Sequence, residues 1–461
     1  MISSETGTET TWTEEAVREF LASEKLAYQS ISLPYNLSTP GAKRDDICRL
    51  AFGHGVDGKF VLDIGSYLGY FCLEALERGA ASATGIEVDP DKIRQANIIA
   101  DIKGLKPHYI LGDIEKDDVP GRFDIVLCLN VLHHMFDPVG VIRKLAHATR
   151  ETLIIEAASL NPRDSRKLRI GFLQRLMISR LPVIFVSHGE PNLRRKTSVQ
   201  KFFFTSGAIT NLLMRQTKLF SRVEVVPSSF KKRFIIRATR RRIDHLLIVS
   251  GPTSSGKSTF LRRLRSGGLP GEIMELLPQG CGDWRQVGAS KLSLTPPRDI
   301  DGKPLDDDHY RGLVLHYDFM RPYVSGSQAY HRDQALDLIA CADKVTVMVL
   351  KPGKERLISQ LEESELKSAA GGALARHGRN MILRSGWVVR LLDKAGRIVG
   401  RRLAPKDRRR YEELLESYKS EGWLEERYRR WHAYLADAHH DMRIETIAWP
   451  ADGKQKSGEN G

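Results

Sequence analysis

The stretch that decides the fold is VLDIGSYLGYF, residues 61–71, in which an apolar run passes through an aspartate into a turn with two glycines. A glycine lets the backbone approach a ligand with no Cβ in the way, and the helix that follows begins with free N–H groups. We therefore predict a ligand-binding turn at the carboxyl end of a buried strand, with Asp63, Gly65 and Gly69 at the ligand.

Three further polar side chains follow apolar runs downstream of this turn. GIEVDP places Glu87 about twenty residues on, at the end of the next predicted strand, where a carboxylate can accept hydrogen bonds from both hydroxyls of a ribose. LGDIE places Asp113 after the third strand, suited to the exocyclic amine of adenine, and LCLNVLHH ends the fourth strand with Asn130. This series predicts a pocket for a cofactor that contains a nucleoside.

Short β-branched runs alternate with helical segments from residue 45 to about residue 240. Such alternation predicts a mostly parallel sheet with helices on both faces. Near its end, RVEVV and RFIIRAT are separated only by PSSFKK, which is too short for a helical crossover, so these two strands should form an antiparallel hairpin.

Residues 61–71, 85–89, 111–114 and 124–134 resemble successive motifs of the class I S-adenosylmethionine-dependent methyltransferases, over about residues 45–240. The resemblance departs at Tyr67, where the common pattern has its middle glycine. A dinucleotide dehydrogenase is the alternative, but its glycines approach a pyrophosphate, which a sulfonium cofactor lacks. The resemblance implies a Rossmann-like fold and S-adenosylmethionine as cofactor, bound by Asp63, Gly65, Gly69, Glu87, Asp113 and Asn130.

Methyl transfer from a sulfonium depends largely on alignment, so a strong base is optional. His134, together with His133, is our candidate for deprotonating an acceptor hydroxyl. The alternative is that one histidine packs beneath the cofactor while the other caps the strand. Glu156, at the end of TLIIEA, is a further candidate.

The segment RKLRIGFLQRLMISRLPVIFV, residues 166–186, spaces apolar residues at helical intervals between arginines. We interpret it as a helical lid over the acceptor pocket. Peripheral contact with an acidic membrane surface and contact with a nucleic acid remain alternatives.

A second motif, GPTSSGKS at residues 251–258, follows the apolar run LLIVS and opens the helical segment STFLRRLR. It satisfies the pattern G-x-x-x-x-G-K-[ST], in which backbone N–H groups surround a β-phosphate, lysine neutralises phosphate oxygens and serine coordinates magnesium. We therefore predict that ATP or GTP is bound with Mg²⁺ by Gly251, Gly256, Lys257, Ser258 and Thr259.

Phosphoryl transfer would also need a carboxylate for magnesium or for the acceptor proton, and LVLHYD supplies Asp318. The neighbouring run KVTVMVLKP ends without an acid. Residues 371–410 are rich in glycine and arginine and resemble the lid of small P-loop kinases, although a solvated or RNA-facing surface is an equal alternative. Residues 245–450 as a whole resemble P-loop nucleotide and small-molecule kinases.

These observations predict an α/β chain of several parts. Residues 1–44 form a helical leader, 45–240 a class I methyltransferase domain, 245–450 a P-loop kinase-like domain, and 451–461 a disordered polar tail. Three consecutive arginines, residues 240–242, mark the boundary between the two large domains.

The net charge of +14 favours an anionic partner without defining one. The five cysteines show no C-x-x-C spacing, so neither a disulfide framework nor a zinc site is indicated. Since no apolar leader or membrane span is visible, we expect a cytoplasmic protein.

Three functional hypotheses follow. The first is an enzyme with two activities, which methylates and phosphorylates a small-molecule or glycan-type acceptor. The second is a methyltransferase with a regulatory nucleotide-binding module. The third is an RNA- or tRNA-modifying methyltransferase, which ranks lower because no aromatic-bearing RNA-recognition strand is visible.

Overall fold

The structure is a computed structural model that describes residues 12–160, 165–166, 169–178, 181–188, 200–292, 294, 297–324, 329–330, 333–370 and 412–449. The chain divides into two compact units: the first ends at Arg241, the second begins at Arg242, and Asp306–Asp308 belong to the first. The predicted arginine-bearing lid at 371–410 and the predicted tail at 451–461 lie outside the described residues.

The described strands of the first unit form two sheets. In chain order they are β1 (Phe60–Ile64), β2 (Ser82–Glu87), β3 (His108–Leu111), β4 (Phe123–Leu129), β5 (Thr149–Ala158), β6 (Ile184–His188), β7 (Gln200–Phe204), β8 (Phe220–Pro227) and β9 (Arg233–Arg240). The large sheet has the order β3-β2-β1-β4-β5-β9-β8, and β6 pairs with β7. Strands β1 to β5 are parallel, whereas β9 is antiparallel to both β5 and β8. The predicted parallel sheet and its terminal hairpin are thus confirmed.

The first unit has seven helices with described bounds. They are Glu14–Ser23, Asp45–Phe52, Tyr70–Glu77, Pro90–Lys103, Pro138–Ala148, Phe172–Ile178 and Ser206–Asn211, with a 3₁₀ turn at Leu132–His134 and a π turn at Leu212–Gln216. Local sequence explains the bounds of the longest: Asp89 caps its first turn, Pro90 occupies the first position, and Gly104 ends it with φ 65°.

The structure changes two expectations for the first unit. The leader is not separate, because Val17, Phe20 and Leu26 share one hydrophobic cluster with Val61 and Leu68. A boundary at residue 45 would therefore divide a single core. The segment 166–186 is helical only in part, since it ends in a strand that begins at Ile184.

The second unit is built on one parallel sheet in the part of the chain that is described. Its strands are β10 (Arg242–Gly251), β11 (Arg285–Gly288), β12 (His309–Asp318), β13 (Ala342–Leu350) and β14 (Met442–Ile447). Their order is β11-β12-β10-β13-β14, and every pair is parallel. The apolar runs LLIVS and LVLHYD singled out in the sequence lie in β10 and β12, and KVTVMVLKP covers most of β13.

Helices of the second unit are Lys257–Arg265, Gly271–Glu275, Ala289–Leu292, Arg321–Val324, Lys354–Ala370, 412–419 and Trp423–Ala438, with 3₁₀ turns at Cys281–Asp283 and Gln334–Cys341. Among all the helices that the structure describes, none is both long enough and apolar enough to cross a bilayer.

Candidate functional site

The glycine turn after β1 has a backbone that demands glycine. Gly65 has φ 70° and Gly69 has φ 82°, and Gly65 N donates to the carbonyl oxygen of Ile86 at 2.8 Å. A Cβ on Gly69 would lie 1.8 Å from the hydroxyl oxygen of Tyr109. Tyr67, at the position of the usual middle glycine, also has a positive φ of 54°. The turn thus keeps the strained backbone of a glycine-rich loop despite this tyrosine.

Glu87, the last residue of β2, is fixed beside this turn. Its Oε2 accepts from Tyr67 N at 3.0 Å, and its Oε1 accepts from Val88 N at 2.9 Å and Asp89 N at 3.2 Å. An ionised carboxylate has about four acceptor positions, so these donors orient the group and leave capacity for a ligand hydroxyl. The structure therefore brings Glu87 and the glycine turn together, as the sequence predicts.

Asp63 lies beneath the turn and is only 2% exposed. Burial, reinforced by the charge of Glu87, raises the pKa of Asp63 well above its usual value. Within the described residues, neither Asp63 Oδ2 nor the buried hydroxyl of Ser66 has a hydrogen-bond partner. A buried oxygen left in this way costs roughly 1–3 kcal/mol, so a donor from a ligand or a buried water would stabilise the turn.

Asp113 and Asn130 follow β3 and β4 at the same carboxyl edge of the sheet. Asp113 Oδ2 accepts from Lys116 Nζ at 2.7 Å, and this hydrogen bond lowers the pKa of Asp113. Asn130 has φ 63° and donates its side-chain amide to the hydroxyl of Tyr28 at 3.3 Å. Both predicted residues thus lie at the edge where parallel α/β sheets bind ligands.

The leader contributes two residues that the sequence did not reveal. Gln29 Oε1 accepts from Leu68 N at 3.1 Å and Tyr70 N at 3.4 Å, and its amide donates to Ser66 O at 3.4 Å. Tyr28 packs edge-on against the ring of Tyr67, with centroids 5.9 Å apart. Gln29 therefore satisfies the N–H groups of the glycine turn from a distant part of the chain.

The two histidines after β4 differ in exposure. His134 is exposed, His133 is half-buried, and their rings are 3.9 Å apart between centroids. Of the two, His134 is therefore the one that an acceptor in solution can reach.

Glu156 is held in a buried ion-pair network and does not fit the role of a base. It has no exposed surface and accepts from Arg44 at 2.8 Å, Arg233 at 3.3 Å and the Ser228 hydroxyl at 2.6 Å. These three donors occupy both carboxylate oxygens and hold the side chain in place. We therefore correct its assignment from candidate base to structural residue.

The GPTSSGKS loop of the second unit connects β10 to the helix Lys257–Arg265. Gly256 has φ 81°, and the buried Lys257 Nζ donates to the carbonyl oxygens of Gly251 at 3.0 Å and Pro252 at 2.5 Å. Burial lowers the pKa of Lys257, although the charge of Asp318 opposes this effect. The lysine is therefore turned inward, onto the loop itself.

Asp318 ends β12 opposite Gly251 in the strand register. Its Oδ2 accepts from the Thr253 hydroxyl at 2.8 Å and lies 3.6 Å from Lys257 Nζ. The sequence prediction that this acid and the glycine-rich loop belong to one site agrees with these distances.

A cavity of about 350 Å³ opens at this loop and is lined by Ser254, Ser255, Gly256, Lys257, Ser258, Thr259, His316, Asp318 and Gln360. The sequence did not single out His316 or Gln360. Burial, with the charge of Lys257, lowers the pKa of His316 to about 4, so its ring is neutral at pH 7. Among the described residues, no cluster of three His, Cys, Asp or Glu side chains could hold a metal ion. A divalent cation here would need ligands from a nucleotide in addition to Ser258 and Asp318.

Part of the first unit is similar to known proteins. Residues 56–170 match the family model described as a methyltransferase domain. The ubiquinone biosynthesis O-methyltransferase of Pseudomonas paraeruginosa is 36% identical over 91 residues, which are 19% of this chain and 39% of the relative. That of Serratia proteamaculans is 32% identical over 98 residues, 21% of this chain and 40% of the relative. The chain thus spans about two fifths of the length of these curated relatives.

The solved structures that resemble part of this chain include the N-terminal domain of EvdMO1 with SAH bound, at 16% identity and a TM-score of 0.40 over 51% of this chain and 100% of that chain. Magnesium protoporphyrin IX methyltransferase from Synechocystis with bound SAM has 17% identity and a TM-score of 0.30, over 42% of this chain and 77% of that chain. Residues 56–170 of the first unit are therefore similar to a methyltransferase domain, and the strands in this range belong to a mostly parallel sheet.

Proposed function

We propose that the first unit transfers a methyl group from S-adenosylmethionine to a hydroxyl of a small-molecule or glycan-type acceptor. The observation that carries this proposal is the Glu87 carboxylate, fixed beside the glycine turn at the carboxyl edge of the sheet. The match of residues 56–170 to a methyltransferase domain supports the reaction type. The names of the curated relatives support oxygen as the acceptor atom.

The polar groups at this edge fit the cofactor. Glu87 would accept hydrogen bonds from the ribose hydroxyls. Asp113 would accept a hydrogen bond from the exocyclic amine of adenine while it remains paired with Lys116. Asp63 Oδ2, which lacks a donor in the described residues, matches an ammonium or a water bound to it. When bound, S-adenosylmethionine supplies an electrophilic methyl group on a sulfonium.

The chain's own residues would then align the acceptor and accept its proton. His134 is exposed at the edge where Asn130 and the glycine turn lie, so its ring nitrogen can take a proton from a hydroxyl. Because alignment carries most of the rate, loss of this imidazole should reduce turnover less than loss of cofactor binding.

A labelling experiment tests this proposal. The full chain is incubated with methyl-labelled S-adenosylmethionine and separate pools of phenols, sugars, glycans and tRNA. We expect label in a phenol, sugar or glycan pool and none with Glu87→Ala. Label found only in tRNA would mean that the acceptor is an RNA and not a small molecule or glycan. Absence of label from every pool would contradict the proposed reaction.

We infer a second function, nucleotide binding with phosphoryl transfer, for the second unit. The observation that favours it is that Lys257, Asp318 and the loop residues Ser254, Ser255, Gly256 and Ser258 line one cavity, with Lys257 Nζ 3.6 Å from Asp318 Oδ2. Lys257 would release its loop carbonyls to neutralise phosphate oxygens, and Ser258 with Asp318 would hold a magnesium ion carried by the nucleotide.

ATP titration and ADP release test this second function separately. The wild-type chain should bind ATP with magnesium, and Lys257→Ala should lose this binding while its affinity for S-adenosylmethionine is unchanged. ADP release only in the presence of an acceptor pool would support a kinase. Binding without turnover in any pool would instead favour a regulatory module, and no binding would refute the nucleotide site.

A further inference from the structure

The helix Phe172–Ile178 exposes the most open apolar surface among the described residues. Leu173 is 72% exposed, Phe172 and Met177 are each 71% exposed, and Leu181 just beyond the helix is 52% exposed. At about 100° per residue, Phe172, Leu173 and Met177 fall within one arc of roughly 140°. We call these four residues the apolar face.

This face lies in a strongly basic part of the chain. Residues 166–201 contain nine lysines and arginines and one acidic residue, so they supply eight of the fourteen excess positive charges. Arg166 and Arg169, which precede the helix, are both exposed. An apolar face bordered by arginines is complementary to a surface that is apolar inside and anionic outside.

Single exposed apolar side chains are normal on a protein surface, but a contiguous group of this size marks an interaction site. A nucleic acid would use the arginines and would gain little from exposed leucine and methionine, since it binds through phosphates and stacked bases. A lipid bilayer uses both features at once.

We propose that the apolar face binds the surface of an anionic lipid bilayer. Phe172, Leu173 and Met177 would enter the boundary between headgroups and acyl chains, while Arg166 and Arg169 contact lipid phosphates. The helix belongs to the segment between β5 and β6, so the proposed lipid contact lies in this connection. The proposal does not rest on the methyl-transfer proposal, because vesicle binding requires neither cofactor nor acceptor.

Vesicle flotation of the full chain tests the proposal. We expect binding to vesicles of phosphatidylcholine mixed with phosphatidylglycerol and much weaker binding to phosphatidylcholine alone. The double variant Arg166→Gln, Arg169→Gln should weaken binding roughly 30-fold, from about fivefold for each charge near an anionic surface. The matched control Lys25→Gln, Lys106→Gln, which removes two exposed charges elsewhere in the first unit, should bind like the wild type.

The apolar contribution has its own variant and control. Leu173→Glu with Met177→Glu should weaken binding at least about tenfold, because two inserted side chains are replaced by carboxylates. Val225→Glu, on an exposed position of β8, should leave binding unchanged. The arginine variant keeps the test decisive if the glutamate variant fails to fold.

Three results would overturn the proposal. The first is equal binding to the two vesicle types. The second is binding that survives both double variants. The third is a change in acceptor KM for the apolar variant with unaltered flotation, which would make the face part of a lid. If tRNA bound in a salt-dependent way and only the arginine variant weakened it, the surface would instead be a nucleic-acid site.

Discussion

Replacing Arg44 by methionine should destabilise the first unit by about 3 kcal/mol. Arg44, 5% exposed, donates to both oxygens of the fully buried Glu156, at 2.8 Å and 3.2 Å. Methionine retains much of the apolar contact of Arg44, but the Glu156 carboxylate loses the two hydrogen bonds that the Arg44 guanidinium donates. Removal of one partner from a buried pair costs roughly 3–5 kcal/mol, and we expect the lower end because Arg233 and Ser228 remain bound.

Hydrogen exchange of the β5 amides, followed against urea concentration, measures this loss in the first unit alone. Arg18→Met is the matched control. Its pair with Glu14 has side chains 59% and 49% exposed, so we expect a loss under about 0.5 kcal/mol. Adding Glu156→Gln to Arg44→Met should recover part of the stability, because the unpaired charge is then gone.

A loss below about 1 kcal/mol for Arg44→Met would refute this reasoning, since it would mean that Glu156 is solvated or neutral. Glu156 would then return as a candidate base for methyl transfer. If the network is structural, Glu156→Gln should retain methyl transfer once the protein is folded.

Three further predictions concern the two sites. Gly69→Ala should weaken S-adenosylmethionine binding because its Cβ meets Tyr109, whereas Gly104→Ala, with a similar positive φ and open space, should cost only about 1 kcal/mol of stability. If calorimetry and urea unfolding showed that the two variants lose the same cofactor affinity and the same stability, this prediction would be contradicted. Gln29→Ala should weaken cofactor binding roughly tenfold, because two N–H groups of the turn lose their acceptor; unchanged affinity would show that the leader does not shape the turn. The lowered pKa of His316, about 4 against an ordinary 6.5, means that the unfolded chain takes up a proton first as pH falls. The free energy of unfolding should therefore drop by about 2 kcal/mol more between pH 7 and pH 5 in the wild type than in His316→Asn. An equal drop in the two proteins, measured by urea unfolding at both pH values, would rule this out.

The sequence predicted the parts of the molecule that depend on local patterns. The turn at Gly65 and Gly69, the terminal hairpin and β10 with its loop all follow from apolar runs ended by glycine or by a short turn. Glu87 was also predicted, because the carboxyl ends of neighbouring parallel strands meet at one edge of the sheet.

Other features depend on contacts that no local pattern contains. Gln29 reaches Leu68 across 39 positions, so nothing in its own neighbourhood marks it as part of the site. Strand β11 has only four residues, RQVG, too few to show a period. His316 lies inside an apolar run that predicts only a strand, so the run gives no sign that His316 lines a cavity.

The one wrong element assignment has an identifiable cause. Apolar spacing suggested that the helix continues to residue 186, but Pro182 interrupts it, and the β-branched run that follows forms β6. The spacing alone could not distinguish a buried helix from a short strand.

The most direct test of the central claim is calorimetric titration of S-adenosylmethionine into the full chain and into Glu87→Ala. We predict binding by the wild type and roughly hundredfold weaker binding by the variant, because two charge-assisted hydrogen bonds of about 1.5 kcal/mol each are lost. Glu151→Ala, an exposed glutamate at the start of β5, serves as control and should bind like the wild type. Equal affinity of wild type and Glu87→Ala would contradict the assignment of the cofactor pocket.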